Sequence, residues 1–465
     1  MRKKHILSYL VSLLLCLSFL QSTIFVAAKE TVSASNSCKT IDAQVALLGS
    51  EELVKNVRSA FIYEMNSDIL MYSYNSDKPE EPASLVKIMT ALVAIEQCDL
   101  DDLVTVKQEL LELIPKKTIS AKLVADEVIS VKDLLYCLLV GSASDAAVVI
   151  ADYVSGSQEA FVDTMNARAA EIGCTGTVYT NTHGLYSSRQ VTTARDTAKI
   201  LIEALNNETF AEIFCTTYYT VLPTNKSETR ELATNNYFMN ANDVRIYRDS
   251  RVIGGRSGVT EDGTRCMVNM ADDDGMRVIC VVMGSASESV GNATRVYGGY
   301  PETTSLFDIC FNQYKTVHVI YDGQILTQAA VSNGANDVGL YVDTSVLTVL
   351  PRNITSKQLV FRYNHKNISA PVSAGDHLSA VEIWYNDLCV GQAQLFAVND
   401  VEPAGTLERD VRKSSLSAWW LLLLIPLATV AFLVLKYRLK IRRVFRTALR
   451  KIKKHFGLTR SNRRR

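Results

Sequence analysis

Pro82-Ala83-Ser84-Leu85-Val86-Lys87-Ile88-Met89-Thr90-Ala91-Leu92 is the stretch on which the reading of the chain turns. Apolar residues recur at helical spacing from Leu85 to Ile95, so the segment predicts a helix that opens at Ser84. Ser84 then sits in the first turn, and Lys87, three residues on, shares its face and can reach the hydroxyl. A serine hydroxyl is a poor nucleophile until a base takes its proton, and the base at hand is a lysine. Lysine ordinarily titrates near pH 10.4, and making it neutral at pH 7 costs about 4.6 kcal/mol. Burial and a neighbouring cation are the means of supplying that. The plainer use of the same residues is a helix N-terminus carrying a solvated lysine. Roughly one or two Ser-x-x-Lys tetrads arise by chance in a chain of this length, so the weight of the pair depends on its companions.

Two companions follow in order: Leu138-Leu139-Val140-Gly141-Ser142-Ala143-Ser144-Asp145-Ala146-Ala147 and Gly255-Arg256-Ser257-Gly258. Asn181-Thr182-His183-Gly184-Leu185 and Pro223-Thr224-Asn225-Lys226 lie between them. With these, the region from about Ser59 to Ile309 resembles the low-molecular-mass penicillin-binding proteins, the serine-type D-alanyl-D-alanine carboxypeptidases of peptidase family S11. The strands around Ala370-Pro371-Val372 also resemble that family's C-terminal β-domain. The resemblance implies that Ser84 forms an acyl-enzyme, Lys87 is its base, and Ser142 relays a proton to the leaving D-alanine. It implies an oxyanion hole from the backbone N–H groups of Ser84 and Val259, with Arg256 and Ser257 on the terminal carboxylate of the substrate. The expected substrates are peptidoglycan stem peptides ending in D-Ala-D-Ala, and β-lactams are the expected covalent inhibitors. No cofactor is implied. Two positions depart from the family pattern. Ser144 replaces an asparagine and loses an amide that both donates and accepts; Arg256 replaces a lysine and keeps the charge without the shape.

Other uses of these residues are open at this stage. Ser142 and Ser144 fit a Gly-Ser turn between helices, and Arg256 fits a solvated charge on a strand edge. A Ser-His-Asp triad would have to use His183, for which a packing or hydrogen-bonding role in its loop is the alternative. Asp272-Asp273-Asp274-Gly275 reads as a hairpin turn rather than a calcium loop. The rival functions are a catalytically impaired penicillin- or peptidoglycan-binding pseudoenzyme and a β-lactamase, the latter lacking a Glu-x-x-Leu-Asn segment for a deacylating base.

Composition and the chain ends set the compartment. Arg2-Lys3-Lys4, the apolar run Ile6–Val26 and Val26-Ala27-Ala28 read as a signal peptide, residues 1–28. Leu416–Leu435 is 20 residues without a charge, long enough at about 1.5 Å per residue for a bilayer core of about 30 Å. Residues 436–465 hold 14 Lys or Arg and no acid, which puts this tail in the cytoplasm and the rest outside. The formal net charge of zero therefore hides an exported part near −17, a poor match for nucleic acid. In the tail, Ile441, Phe445, Ala448, Ile452 and Phe456 have the spacing of a basic amphipathic helix suited to an anionic inner leaflet. The cysteines show no CxxC and the six histidines are widely scattered, so neither a disulfide framework nor a metal site is predicted.

The predicted fold class is an α/β (α+β) catalytic domain with helices on an antiparallel sheet, a small all-β domain, and one C-terminal transmembrane helix. The expected boundaries are a lead-in at 29–54, the catalytic domain at 55–313, the β-domain at 314–400 and a linker at 401–415. A span at 416–435 and a tail at 436–465 complete the chain. The expected location is the cell membrane, single-pass, with the catalytic domain on the wall side.

Overall fold

The computed structural model describes residues 37–240, 245–290, 294–364, 367–404, 432, 433, 436 and 438–455. The predicted signal peptide lies outside the described residues, as does the predicted span apart from 432 and 433. Among the described residues no helix is long and apolar enough to cross a membrane.

Ser59–Glu64 (β1) and Ile69–Tyr74 (β2) form a hairpin around Asn66-Ser67-Asp68, with Asp68 left-handed at φ 55°. Leu103–Thr105 (β3) pairs with Val128–Ser130 (β4), and Tyr218–Val221 (β5) with Arg230–Ala233 (β6). Val252–Val259 (β7), Arg265–Asp273 (β8) and Met276–Ser285 (β9) complete the main sheet, whose order is β2-β1-β9-β8-β7. Neighbours run antiparallel throughout. Every residue of β1 is buried, as is Val278–Ser285 of β9, so these strands read as continuous apolar runs rather than alternations: both faces are covered. The acidic run is a turn, as expected: Asp274 and Gly275 both have positive φ and join β8 to β9. Glu288–Val290 (β10) and Thr294–Val296 (β11) form a short ribbon.

The helices are Val86–Gln97 (α1), Gln108–Glu112 (α2), Val131–Leu139 (α3), Ser144–Ser155 (α4), Gln158–Glu171 (α5), Ala194–Leu205 (α6), Glu208–Cys215 (α7) and Tyr300–Gln313 (α8). From Val86 to Ala94 α1 is buried on every side, among α3, α4, α5 and α6, as a helix apolar all round must be. The apolar stretch from Val131 to Val154 is two helices, and Gly141 sits in the break between them. Side-chain caps set several starts: Ser130 accepts from Asp133 N–H for α3, Ser157 from Ala160 N–H for α5 and Thr193 from Asp196 N–H for α6. The Ser157 cap sets the start of α5 at Gln158. α6 packs on β1 and β9, and α8 on β9.

The C-terminal strands are Tyr314–Ile320 (β12), Ile325–Ala329 (β13), Val338–Tyr341 (β14), Val346–Pro351 (β15), Val360–Tyr363 (β16), His377–Tyr385 (β17) and Leu388–Ala397 (β18). The chain divides into two compact units: Met1–Asp322 with Thr344–Asn364 and Ala380–Ala393, and Gly323–Asp343 with His365–Ser379 and Gln394–Arg465. Within the first unit β12 pairs with β15, and β16 with β17. Within the second β13 pairs with β14, and β14 with the end of β18 at Leu340–Ala397 and Tyr341–Phe396. Arg438–His455 (α9) is helical, with Phe445 and Ile452 exposed.

Candidate active site

A single 3-10 turn, Ala83–Leu85, leads into α1 and carries Ser84 at the mouth of the buried helix. Lys87 follows in the first turn of α1 and is 3 % exposed. Its Nζ lies 3.4 Å from Ser84 Oγ. Burial pulls the Lys87 ammonium down to about 7, against the pull of the Asp145 carboxylate in the opposite direction. That is the condition for a lysine base: at neutral pH about half of such amines carry a free lone pair. Burial alone supplies the lowering. The neighbouring cation expected from the sequence is not among its causes.

The second motif stands in the break between α3 and α4. Ser142 is 4 % exposed and takes the left-handed region at φ 51°, a conformation a serine adopts only where its surroundings hold it. Ala83, the residue before the nucleophile, does the same at φ 46°. Ser144 is 2 % exposed and its N–H donates to Ile119 carbonyl at 2.9 Å. The adjacent Asp145 fastens the loop ahead of β4 to this break, accepting from Ser120 Oγ at 2.6 Å, Ala121 N–H at 2.9 Å and Leu123 N–H at 3.0 Å. Sequence reasoning gave Asp145 no role. Its signal was its place directly after Ser144, inside a stretch already singled out.

The third motif is β7, the free edge of the main sheet. Gly258 lies against the nucleophile: a β-carbon there would meet Ser84 N at 2.5 Å and Ala83 Cβ at 2.8 Å. Only a glycine lets this strand come so close. Thr260 N–H donates across to Thr264 carbonyl, so by ladder alternation the Val259 N–H, one residue earlier, faces out from the edge. Arg256 is 4 % exposed, and its guanidinium turns into the protein. Nη1 donates to Gly255 carbonyl at 2.7 Å and Nη2 to Ile213 carbonyl at 3.0 Å, while the group lies 5.1 Å from the Phe214 ring centre. Burial lowers it to about 10, so it remains a cation at neutral pH. Ser257 Oγ, on the opposite face of the strand, accepts from Arg265 Nη1 at 3.3 Å.

The loop Asn181–Leu185 closes the site from above α1. Thr90 Oγ1 donates to Thr182 carbonyl at 2.7 Å, and Asn181 Oδ1 accepts from Gly184 N–H at 2.8 Å. His183 Nδ1 accepts from Leu185 N–H at 3.2 Å. Burial, and then repulsion from Lys87, push its imidazole down to about 4. It is a neutral hydrogen-bonding member of its loop.

The chain is similar to known proteins over most of its length. Residues 50–287 match the family model described as D-alanyl-D-alanine carboxypeptidase, and residues 314–403 match the C-terminal domain of penicillin-binding protein 5. The D-alanyl-D-alanine carboxypeptidase DacF of Bacillus subtilis (strain 168) is 26% identical over 366 residues, covering 77% of this chain and 88% of that protein. A D-alanyl-D-alanine carboxypeptidase of Streptomyces sp. (strain K15) is 31% identical over 236 residues, covering 48% and 80%. The solved structure of penicillin-binding protein 5 from Haemophilus influenzae superposes with a TM-score of 0.62 at 25% identity, over 76% of this chain and all of that one. With residues 50–287 matched, more than half of its length, the chain belongs to the D-alanyl-D-alanine carboxypeptidase family.

Proposed function

We propose that the chain removes the terminal D-alanine from peptidoglycan stem peptides through an acyl-enzyme on Ser84. The observation that carries this is the 3.4 Å approach of a buried, pKa-lowered Lys87 amine to Ser84 Oγ. Neutral Lys87 takes the hydroxyl proton as Oγ attacks the carbonyl carbon of the penultimate D-alanine. The oxyanion so formed accepts from the N–H groups of Ser84 and Val259. Collapse breaks the peptide bond, Ser142 passes a proton to the departing D-alanine amine, and water then attacks the ester to release the shortened peptide and restore Ser84. β-Lactams would acylate the same oxygen. The wall side of the cell membrane is the place of work, residues 1–28 serving export and 416–435 a single span, with a catalytic domain at 55–313 and a β-domain at 314–400.

The test is D-alanine release from a D-Ala-D-Ala-terminated peptide together with covalent labelling by a fluorescent β-lactam. Wild type releasing D-alanine and labelling, with Ser84→Ala doing neither, supports the proposal. Labelling without release is the signature of a penicillin-binding pseudoenzyme, and rapid loss of the label that of a β-lactamase.

A further inference from the structure

An aromatic row crosses the sheet of the second unit on its outer face. Val338 and Leu340 of β14 are buried, as are Leu395 and Ala397 of β18, so strand alternation turns Tyr341 and Phe396 to the other side. The register sets Ile325 of β13 opposite Tyr341, and Tyr341 opposite Phe396. The Tyr341 and Phe396 ring centres are 6.0 Å apart, and the His377 ring, at the start of β17, lies 5.6 Å from Phe396. Four strands thus contribute one side chain each to a single stripe. Ile325 is 59 % exposed, His377 is exposed, and the two rings between them are half-buried. Beside the stripe, His377 Nε2 lies 2.5 Å from Gln394 Oε1, which leaves the Gln394 carboxamide nitrogen to donate elsewhere.

A contiguous apolar stripe with a polar rim on an outer face marks a binding surface, and its chemistry selects the partner. Ring faces receive the apolar C–H face of a sugar, while the imidazole and carboxamide at the rim hydrogen-bond to its hydroxyl and acetamido groups. Charge narrows the choice further. Residues 323–343, 367–379 and 394–404 of this unit hold Asp337, Asp343, Asp376, Asp400 and Glu402 and no Lys or Arg. Such a surface repels anionic phospholipid and polyphosphate chains and leaves an uncharged polymer unopposed. We propose that the row binds the glycan strand of peptidoglycan, an uncharged chain of N-acetylated amino sugars, and tethers the enzyme to the wall. The choice of polymer rests on the carboxypeptidase reading. Holding the strand raises the local concentration of the stems attached to it, so the row adds rate on wall and none on free peptide.

The experiment uses the detergent-solubilised full chain as wild type, as the double variant Tyr341→Ser with Phe396→Ser, and as His377→Ala. Retention on immobilised glycan strands stripped of their stems is measured beside D-alanine release from intact wall and from a soluble D-Ala-D-Ala peptide. Loss of two stacking contacts predicts that the double variant binds the stripped glycan on the order of 10- to 100-fold more weakly. Its release from wall should fall while its release from soluble peptide stays at the wild-type rate. Wild type that is not retained on stripped glycan overturns the proposal, and so does a double variant retained as well as wild type. If the double variant does not fold, His377→Ala decides, at an exposed position: about threefold weaker retention supports the row, and equal retention overturns it. Self-association of wild type that the double variant abolishes, without glycan retention, assigns the face to a second copy of the chain and overturns the proposal. Wild type that is retained but releases no D-alanine overturns the carboxypeptidase reading and leaves the glycan site standing.

Discussion

The carbonyl oxygen of Ala83 leaves no room for a β-carbon on Gly184, which would stand 2.1 Å from it. Gly184 also holds φ at +80°, where an L side chain is strained. The Asn181–Leu185 loop and the turn that carries Ser84 are therefore fitted to each other backbone against backbone. Gly184→Ala should force one of them away, at a cost of about 1–3 kcal/mol in stability. A displacement of even 1 Å at the nucleophile costs on the order of 100-fold in rate. Thermal unfolding and the second-order rate of β-lactam acylation measure the two effects. Acylation at the wild-type rate would show that the turn does not depend on the loop.

The low pKa of Lys87 makes acylation a pH-dependent step with a definite direction. Only the neutral amine accepts the Ser84 proton, so the acylation rate should climb as pH rises through about 7 and level off above it. His183, pushed down to about 4, stays neutral through that range and adds no second inflection. Stopped-flow acylation between pH 5 and 9 is the measurement. A profile flat across pH 7 would assign the base elsewhere.

The same lysine should weigh on the fold. Its folded pKa lies below its unfolded one, so the folded state binds fewer protons between about 7 and 10.5 and stability rises with pH across that window. Above the window both states are neutral and the group costs nothing. Below it the buried charge costs its full amount, at most about 5 kcal/mol. Lys87→Met, close in length and uncharged, should be inactive yet melt higher than wild type. The gain should be largest near pH 6 and shrink toward pH 10. A gain independent of pH would tie the stability to packing instead.

The frame of this site was legible in the chain because local pattern encodes it. The helix after Ser84, the glycine break before Ser144 and the hairpin at Asp274-Gly275 each follow from periodicity or turn chemistry within about a dozen residues. The contact of Arg265 with Ser257 left no trace in the chain, since the register between β7 and β8 makes it, and a one-residue slip would send Arg265 to the other face. Arg256 is a different case: its identity gave its charge, but the direction of its side chain is set by the carbonyl of Ile213 on α7. Strands β13, β14 and β18 are hard to read from the chain because each is short or interrupted in its alternation, as Gly391 interrupts β18. Their pairing is long-range and leaves little local trace.

Ser144 stands where the family has an asparagine, and restoring that asparagine should raise the rate. The site is nearly closed, with Ser144 2 % exposed at the first turn of α4 and its backbone fixed to Ile119. A carboxamide at 144 is longer than the hydroxyl and carries both an acceptor and a donor. If that carboxamide reaches Lys87, its oxygen accepts from the amine and its nitrogen is left to donate to substrate. One recovered hydrogen bond of about 1–3 kcal/mol in the transition state corresponds to an increase on the order of 5- to 150-fold in acylation. Ser144→Asn compared with wild type, in D-alanine release and in β-lactam acylation, checks this, with the melting temperature as control for the added volume. Faster acylation with unchanged melting identifies the serine as the handicap. Equal or slower acylation in a variant that melts like wild type would mean that Ser142, Lys87 and the bound substrate already complete the site without an amide.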